Sequence, residues 1–408
     1  GAQDVYLTGN PKVTFFQAVY KRHTNFAMEN IEQTVNGTAT AGGRVSVTVA
    51  RNGDLISDMY VELQCAGAPG ITKDAWIAES AISTVELSIG GQRIDKHYQK
   101  WWRLYAELYM DEATKLNYGK MTSATIDNEK VFLPLIFFFN RNPGLALPLI
   151  ALQYHEVRID FDLSSVYGTN FDSFKVWGNY IYLDTEERRR FAQKGHEYLI
   201  EQVQHTGSDS LASSAGATKQ IRLSYNHPVK ELVWCTTESS NVVGDANGVW
   251  NFTDTSVTLS AAAGAVSVSN ALVSTSGSGA PQLVVDSTKQ FDEETSGPLD
   301  SFKLVLNGQD RFKEQGGKYF NSVQPFVHHS STPMPGVYAY SFALKPEEHQ
   351  PTGTCNFSRI DNAQVAISVK GTSSPRGTDS TKNTLNMFAT NYNVLRIQSG
   401  MGGLAFSN

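Results

Sequence analysis

Two series of short signals run through this chain in the same order, and that shared order limits what it can fold into. The first half carries Ile31-Glu32-Gln33, an alternating run Val45, Val47, Val49, a turn at Asn52-Gly53, Gly91-Gln92-Arg93, then Val157, Ile159, Phe161, Leu163. The second carries Ile200-Glu201-Gln202, then Ile221, Leu223, Tyr225, a turn at Asn226-His227-Pro228, Gly308-Gln309-Asp310-Arg311, then Val365, Ile367, Val369. Single triplets recur by chance, but five in one order predict a β-unit duplicated within the chain. Tandem like domains are a building device before they are a catalytic one.

The periodicity inside each half is that of strands. Val157, Ile159, Phe161 and Leu163 point one way while Arg158, Asp160 and Asp162 point the other, which predicts a strand with one wet face. Val365-Ala366-Ile367-Ser368-Val369 and Phe302-Lys303-Leu304-Val305-Leu306 repeat the pattern, with shorter versions at Val85 to Ile89 and Tyr60 to Leu63. Turn residues separate the runs at Asn52-Gly53, Gly90-Gly91, Asn307-Gly308, Gly316-Gly317 and Pro335-Gly336. Many short strands at this spacing predict an all-β antiparallel sandwich or barrel in each half. With 408 residues, two domains of roughly 150–200 residues fit the usual size range.

Helices are few. Asp95 to Asp111 sets Tyr98, Trp101, Trp102, Tyr105, Leu108 and Tyr109 on one stripe at helical spacing, expected to pack a helix onto a sheet. A second helix is predicted to start at Asp184 as N-cap, with Glu187 as its capping-box partner, and to run toward Gly195. It is a natural connector, placing the boundary between a first domain of 1–194 and a second of 195–408. The halves differ chiefly by an insertion at about 238–300. The interval from turn asparagine to Gly-Gln pair runs from 52 to 91 in one half and from 226 to 308 in the other. Its Ser, Gly, Ala, Thr and Val side chains cannot build a core, so a projecting surface loop is expected, stiffened by hairpins at Val257-Leu259 and Val266-Val268.

Charge narrows the function. A net charge of −6 with charged residues at 18% argues against coating nucleic acid, which needs a concentrated basic face. The one compact basic run, Arg188-Arg189-Arg190, follows Asp184, Glu186 and Glu187 and reads as a solvated helix face. Cys65, Cys235 and Cys355 are far apart and odd in number, disfavouring a disulfide framework or zinc site and predicting buried thiols. No signal peptide is visible, although the chain begins at Gly1 rather than Met. Leu133 to Leu152 is apolar but broken by Arg141, Pro143, Gly144 and Pro148, so it predicts strand, loop and second strand rather than a membrane span.

The search for catalytic chemistry is nearly empty. His155-Glu156 and His196-Glu197 each begin like a zinc helix, but Ile159 and Ile200 stand where the second histidine belongs. There is no GxSxG elbow. Gly317-Lys318 is followed by Tyr319, which cannot supply a magnesium-binding hydroxyl, and Gly400, Gly402 and Gly403 lack dinucleotide spacing. His328-His329 reads as a loop pair without function. No cofactor or metal is predicted. Three glycosylation sequons occur, at Asn251, Asn36 and Asn356, Asn251 being the best placed because it lies in the insertion.

Longer blocks are familiar. The stretch Gly1-Ala2-Gln3-Asp4-Val5-Tyr6-Leu7-Thr8-Gly9-Asn10-Pro11 leads into Thr14-Phe15-Phe16 and Tyr20-Lys21-Arg22-His23-Thr24-Asn25-Phe26. Together with Gly91 to Tyr98, Pro134 to Asn140, Pro143 to Glu156, Leu306 to Phe312, Gly353 to Asn362 and Asn391 to Ile397, it resembles the major capsid proteins of large nucleocytoplasmic DNA viruses, the algal (chlorella-type) ones above all. The likeness fades in the insertion and around Gly371 to Asn383.

The resemblance implies two tandem eight-stranded antiparallel jelly-roll sandwiches with a few short helices in loops. It also implies a non-enzymatic shell protein that forms a homotrimer, a pseudo-hexagonal capsomer able to tile an icosahedral virion capsid assembled in the host cytoplasm. The implied partners are neighbouring capsomers and minor capsid and penton proteins. Gly1 to Phe26 would then lie at the inner face, with glycans on outer loops. Algal-virus relatives carry glycans at unusual asparagine contexts, so Asn241, Asn247 and Asn270 stay open beside the sequons. The competing expectation is a carbohydrate-binding or carbohydrate-cleaving jelly-roll protein using the aromatic helix stripe, Trp250 or Phe252.

Overall fold

The computed structural model describes residues 1–66, 76–124, 126–211, 217–238, 252, 296–371 and 382–407. Eight main strands build the first unit: β1 Phe26–Gln33, β2 Arg44–Thr48, β3 Leu55–Cys65, β4 Ile82–Ile89, β5 Gln92–Tyr98, β6 Lys130–Pro134, β7 Val157–Leu163 and β8 Phe171–Leu183. One sheet runs β1-β8-β3-β6 and the other β2-β7-β4-β5, all antiparallel. The chain therefore alternates between sheets as it goes, which is the jelly-roll winding.

The second unit repeats it. Its strands are β9 His196–Gln204, β10 Lys219–Leu223, β11 Pro228–Thr237, β12 Leu299–Leu306, β13 Gln309–Asp310, β14 Tyr338–Ser341, β15 Ala363–Val369 and β16 Thr384–Gln398. They order as β9-β16-β11-β14 and β10-β15-β12-β13, the same permutation strand for strand. A short β17, Met401–Leu404, folds back on β16. The fold is a double jelly-roll. Each signal pair in the sequence falls at equivalent places: Ile31-Glu32-Gln33 in β1 and Ile200-Glu201-Gln202 in β9, the valine and isoleucine runs in β7 and β15. The Gly-Gln pairs mark the matching hairpins. Gly90 and Gly91 at φ +59° and +83°, and Asn307 and Gly308 at +51° and +78°, take the left-handed two-residue turn whose twist suits a hairpin.

The two units are not separate cores. On β11 and on its neighbours β14 and β16, alternate side chains serve different clusters. Leu232, Trp234, Tyr338 and Met387 fill the second sandwich, while Val233, Cys235, Ala339 and Phe388 join the cluster of the first. The β9-β16-β11-β14 sheet is thus covered on both faces, and β11 has no exposed residue along its length. Trp234 stacks on Phe302 inside its own sandwich at 4.1 Å between ring centroids.

Three helices matter: α1 Gln99–Tyr109, α2 Glu112–Thr122 and α3 Thr185–Gln193. The aromatic helix starts later than its stripe suggests, because Asp95–Tyr98 stays in β5, paired with β4. Asp184 does cap α3, through the Thr185 N–H, but Glu187 does not close a capping box: its buried Oε2 has no hydrogen-bond partner. Arg188, Arg189 and Arg190 are exposed on α3 as expected, with Arg188 3.1 Å from Asp54. Leu133 to Leu152 yields only a two-residue second strand, Leu147–Pro148, between short helical turns, since its prolines withhold the N–H groups a longer ladder needs. No described helix is long and apolar enough to cross a membrane. The wet face expected for Val365 to Val369 is closed. Ala366 and Ser368 are buried, being small enough to lie below their neighbours, and the Ser368 hydroxyl sits 2.6 Å from that of Ser301. Cys65 and Cys235 are buried and Cys355 is half-buried.

The strand ends fix a polarity. Phe26 opens β1 beside Leu183, the last residue of β8, and after α3 the chain re-enters at His196 beside Ile397. Residues 1–25 and the connector therefore share one end. β11 finishes at Thr237 beside Thr384, the first residue of β16, so the insertion leaves from the opposite end. Most of that insertion, with its two predicted hairpins, lies outside the described residues.

Candidate functional site

The chemistry of this chain is concentrated where the two sandwiches meet. The aromatic stripe of α1 faces this seam and is packed rather than open. Trp101 and Trp102 are each 1% exposed, and the Trp101 ring lies 5.6 Å from Phe388 of the second sandwich. Tyr98 meets His205 edge-on at 4.8 Å, and His205 stacks on Phe388 at 4.4 Å. Phe252 is fully buried. Trp101, Trp102, Phe388 and Phe252 present no free face for a sugar, whereas Tyr98 is half-buried at the edge of a cleft; Trp250 lies outside the described residues.

Around that apolar seam stand three buried charge clusters. In the first, Arg103 on α1 has no exposed surface and lies 2.9 Å from Glu107 and 3.4 Å from Glu79, with its guanidinium 3.7 Å above the Trp76 ring. None of its nitrogens makes an aligned hydrogen bond, so the attraction is one of charge and ring quadrupole rather than directed bonding. Burial pushes the Glu79 carboxyl above its ordinary value against the pull of Arg103. Glu107 reaches across the seam, accepting from the Met334 N–H at 3.0 Å, while its backbone carbonyl accepts from Ser331 Oγ. Lys115 on α2 donates to the Thr332 carbonyl at 2.8 Å. One strongly charged patch of the first sandwich thereby grips the 331–334 loop of the second.

The second cluster is centred on Glu231, which is completely buried on β11. Tyr109 of α1 donates to Oε2 at 2.6 Å, and His329 Nε2 lies 2.5 Å from Oε1. The other His329 nitrogen meets Glu347 at 3.1 Å. Burial alone would lower the His329 value, but Glu231 and Glu347 outweigh it and raise it to about 9, so the ring is a buried imidazolium at neutral pH. The expectation of an idle loop pair at His328-His329 is corrected here: His328 ends a short helix, half-buried, while His329 turns fully inward because two carboxylates need a cation.

In the third, Glu201 on β9 takes Lys230 at 2.6 Å and Arg141 at 3.1 Å. Burial raises the Glu201 carboxyl, yet the two cations prevail and hold it below its ordinary value. A cavity of about 150 Å³ lies beside it, lined by Tyr105, Tyr109, Arg141, Lys230, Glu347 and His349 among others. Sequence reading missed all three clusters. The available signal was Val229-Lys230-Glu231-Leu232-Val233-Trp234, apolar in both phases of a strand, which marks a sheet covered on both faces and hence buried charges.

The histidines that resemble zinc motifs serve the seam and connector instead: His155 Nδ1 accepts from the Gly402 N–H at 3.1 Å, and His196 contacts the Phe191 carbonyl. No group of three or more potential metal ligands is assembled among the described residues. Of the sequons, Asn36 is exposed beside Gly37, whereas Asn356 is half-buried and its Oδ1 accepts from the Ser358 N–H, capping a short turn. Asn251, Asn241, Asn247 and Asn270 lie outside the described residues. The N-terminal arm, residues 1–25, is exposed throughout, including Tyr6, Phe15, Phe16 and Tyr20.

Comparison with known proteins agrees with this architecture. Residues 14–184 match the family described as the major capsid protein N-terminus, and residues 187–403 match the large eukaryotic DNA virus major capsid protein. The chain is 47% identical to the major capsid protein of Paramecium bursaria Chlorella virus 1, over all of this chain and 98% of the relative. It is 42% identical to that of Pyramimonas orientalis virus, over all of this chain and 97% of the relative. A solved chain of the PBCV-1 virus capsid superposes with a TM-score of 0.80 at 42% identity, covering 97% of this chain and 100% of that one. These relatives are structural shell proteins and not enzymes. The duplicated sandwich, its shared core and the whole-length similarity together place this chain in the major capsid protein family of large eukaryotic DNA viruses.

Proposed function

We propose that three copies of this chain associate about a threefold axis into a pseudo-hexagonal capsomer that tiles an icosahedral shell. The observation that carries the reading is the identical strand permutation in two sandwiches that share one hydrophobic cluster. Three chains then present six similar faces, and closed rotational symmetry supplies the rest. Tiling also requires that the two faces of one chain keep a fixed angle. The apolar seam and its three charge clusters favour that.

The division into 1–194 and 195–408 belongs to the same reading, with α3 as the connector. So does the polarity of the molecule. The arm Gly1–Phe26 would meet minor capsid proteins or the membrane side at the inner face, penton proteins being partners of the shell at large; it carries Lys12, Lys21 and Arg22 against Asp4, among exposed aromatic residues. The insertion would face outward beside neighbouring capsomers with a glycan at Asn251, while Asn36 and Asn356 are glycan candidates outside it, and assembly would take place in the host cytoplasm. Asn36 is the best exposed of the described candidates.

Light scattering on the purified chain tests the assembly. A mass about three times the 44.8 kDa of one chain is expected, and obligate contacts of that kind bury more than ~2,000 Å² per pair. A monomer across micromolar concentrations, or a dimer, overturns the capsomer.

A further inference from the structure

His329 is the one imidazole in the described structure held between two carboxylates, and its surroundings come from both sandwiches. Glu231 on β11 and Glu347 in the 345–349 loop take its two nitrogens, and Glu347 also accepts from the backbone and hydroxyl of Ser330. Tyr109, at the C-terminal end of α1 in the first sandwich, donates to the same Glu231 and sets its ring edge-on to the imidazole at 5.3 Å. Behind them Lys230 and Glu201 pair on β11 and β9, Arg141 and Tyr105 approach from the first sandwich, Tyr392 comes from β16, and His349 lines the adjoining cavity.

The side chains of His329 and Glu231 have no exposed surface. A carboxylate so buried is tolerable only while its cation is present. Tyr109 donates one hydrogen bond but brings no charge.

We propose that the imidazolium of His329 is the charged pin of a latch between the two sandwiches, and that removing its proton loosens the seam while each sandwich stays folded. With the ring neutral, Glu231 keeps the Tyr109 hydrogen bond and at most one from the imidazole, and it becomes a buried uncompensated charge beside the negative Glu347 that strains the packing of β11 under α1. Burial pushes the Lys230 ammonium below its ordinary value despite Glu201, so where it titrates it acts in the opposite sense, and the His329 contribution is the difference between wild type and H329Q. Burial pushes the Tyr109 hydroxyl well above its ordinary value, so it stays protonated. Glu347 is held below the ordinary carboxylate range by His329 and Ser330 against burial, so it stays charged.

The sign follows from the direction of the shift. A histidine raised in the folded state contributes its full stabilisation below its unfolded value, near 6.5, and loses it as the pH climbs through about 9. Between these limits the folded chain holds one more proton than the unfolded chain. The folding equilibrium therefore falls about tenfold per pH unit, or about 300-fold across the interval. The latch is closed at neutral pH and opens in mild alkali.

The experiment uses the full chain. Urea unfolding is followed from pH 6 to pH 10, and hydrogen exchange of peptides spanning 99–109 and 328–347 is measured at the same pH values and corrected for intrinsic rates. Expected for the wild type is a decline in stability that levels above about pH 9, with exchange rising at both seam peptides before the strands of either sandwich. H329Q is expected to be weaker at pH 6 yet without that decline across the interval. Should H329Q fail to fold, E347Q is the second variant. It removes one of the two carboxylates at a partly exposed position, and the midpoint is expected to move down by about a pH unit. A wild-type profile flat relative to H329Q between pH 6.5 and 9, an E347Q midpoint equal to wild type, or seam peptides exchanging only with the sandwiches would each overturn the latch.

Discussion

Replacing Arg103 with methionine asks the most of the reasoning about the seam. The substitution keeps most of the length and apolar contact with Trp76 but removes the charge that lies 2.9 Å from Glu107 and 3.4 Å from Glu79. Glu79 has a way out: its carboxyl is already pushed up by burial and is hydrogen-bonded by the Tyr118 hydroxyl, so it takes a proton. Glu107 has less. It retains Lys115 at 3.4 Å and the Met334 N–H, but one oxygen faces a place from which the cation has gone. Breaking a buried ion cluster on one side costs about 3–5 kcal/mol, and the lost cation–π contact lies within that sum. With about 2.1 cal/mol/K of unfolding entropy per residue over the 408-residue chain, each kcal/mol is worth about 1 °C, and the midpoint of thermal unfolding should fall by about 3–6 °C. Arg396→Met is the internal control, because Arg396 and Glu197 pair at 3.0 Å with both side chains more than half exposed. Such a pair is worth about 0–1 kcal/mol. Calorimetry and urea titration of both variants at neutral pH decide the matter. If Arg103→Met costs no more than Arg396→Met, the buried cluster does not stabilise the seam and the argument fails.

Two further substitutions probe other parts of the fold. Trp101→Ala removes the ring that fills the seam against Phe388; a loss of about 3–5 kcal/mol is expected, with the single transition that the shared cluster predicts for the wild type splitting in two as the sandwiches uncouple. A single transition with a loss under about 2 kcal/mol would contradict the shared core. Gly90→Ala and Gly91→Ala separate backbone strain from crowding, since both glycines have left-handed φ, but a Cβ on Gly90 would sit 2.4 Å from His155 Nδ1 while one on Gly91 meets nothing within 4 Å. Gly91→Ala should cost about 1 kcal/mol and Gly90→Ala about 2–3 kcal/mol, read by urea midpoint; the reverse order would show that His155 does not hold that turn.

The pattern of legibility has a physical cause. Local signals were readable because they depend on near neighbours: the Asn-Gly and Gly-Gly hairpins, the alternation of β7, and the aromatic face of α1. The repeat of those signals gave the duplication, and five paired landmarks proved to sit at matching strands. What stayed hidden depends on distant partners. Tyr109 and Glu231 are 122 positions apart, and Lys115 and Thr332 are 217 apart. Nothing in the neighbourhood of His329 announces that two carboxylates will close around it. The start of α1 was misplaced because Tyr98 fits a helical stripe as well as a strand, and pairing with Thr84 decided for the strand. The closed outer face of β15 shows a limit of alternation itself: alanine and serine read as wet positions but are small enough to be covered.

One consequence follows from the opposite placement of the arm and the insertion. Glu238 and Ser296, which bracket the long insertion, leave and re-enter beside strand termini far from residues 1–25 and from α3. Loop closure grows only slowly with length, by about 0.6 kcal/mol for each doubling. Lineages bearing this scaffold can therefore lengthen, shorten or redecorate one pole almost without energetic consequence for the other. Novelty at one extremity and constancy at the other become independent variables, inherited from a single winding of the chain.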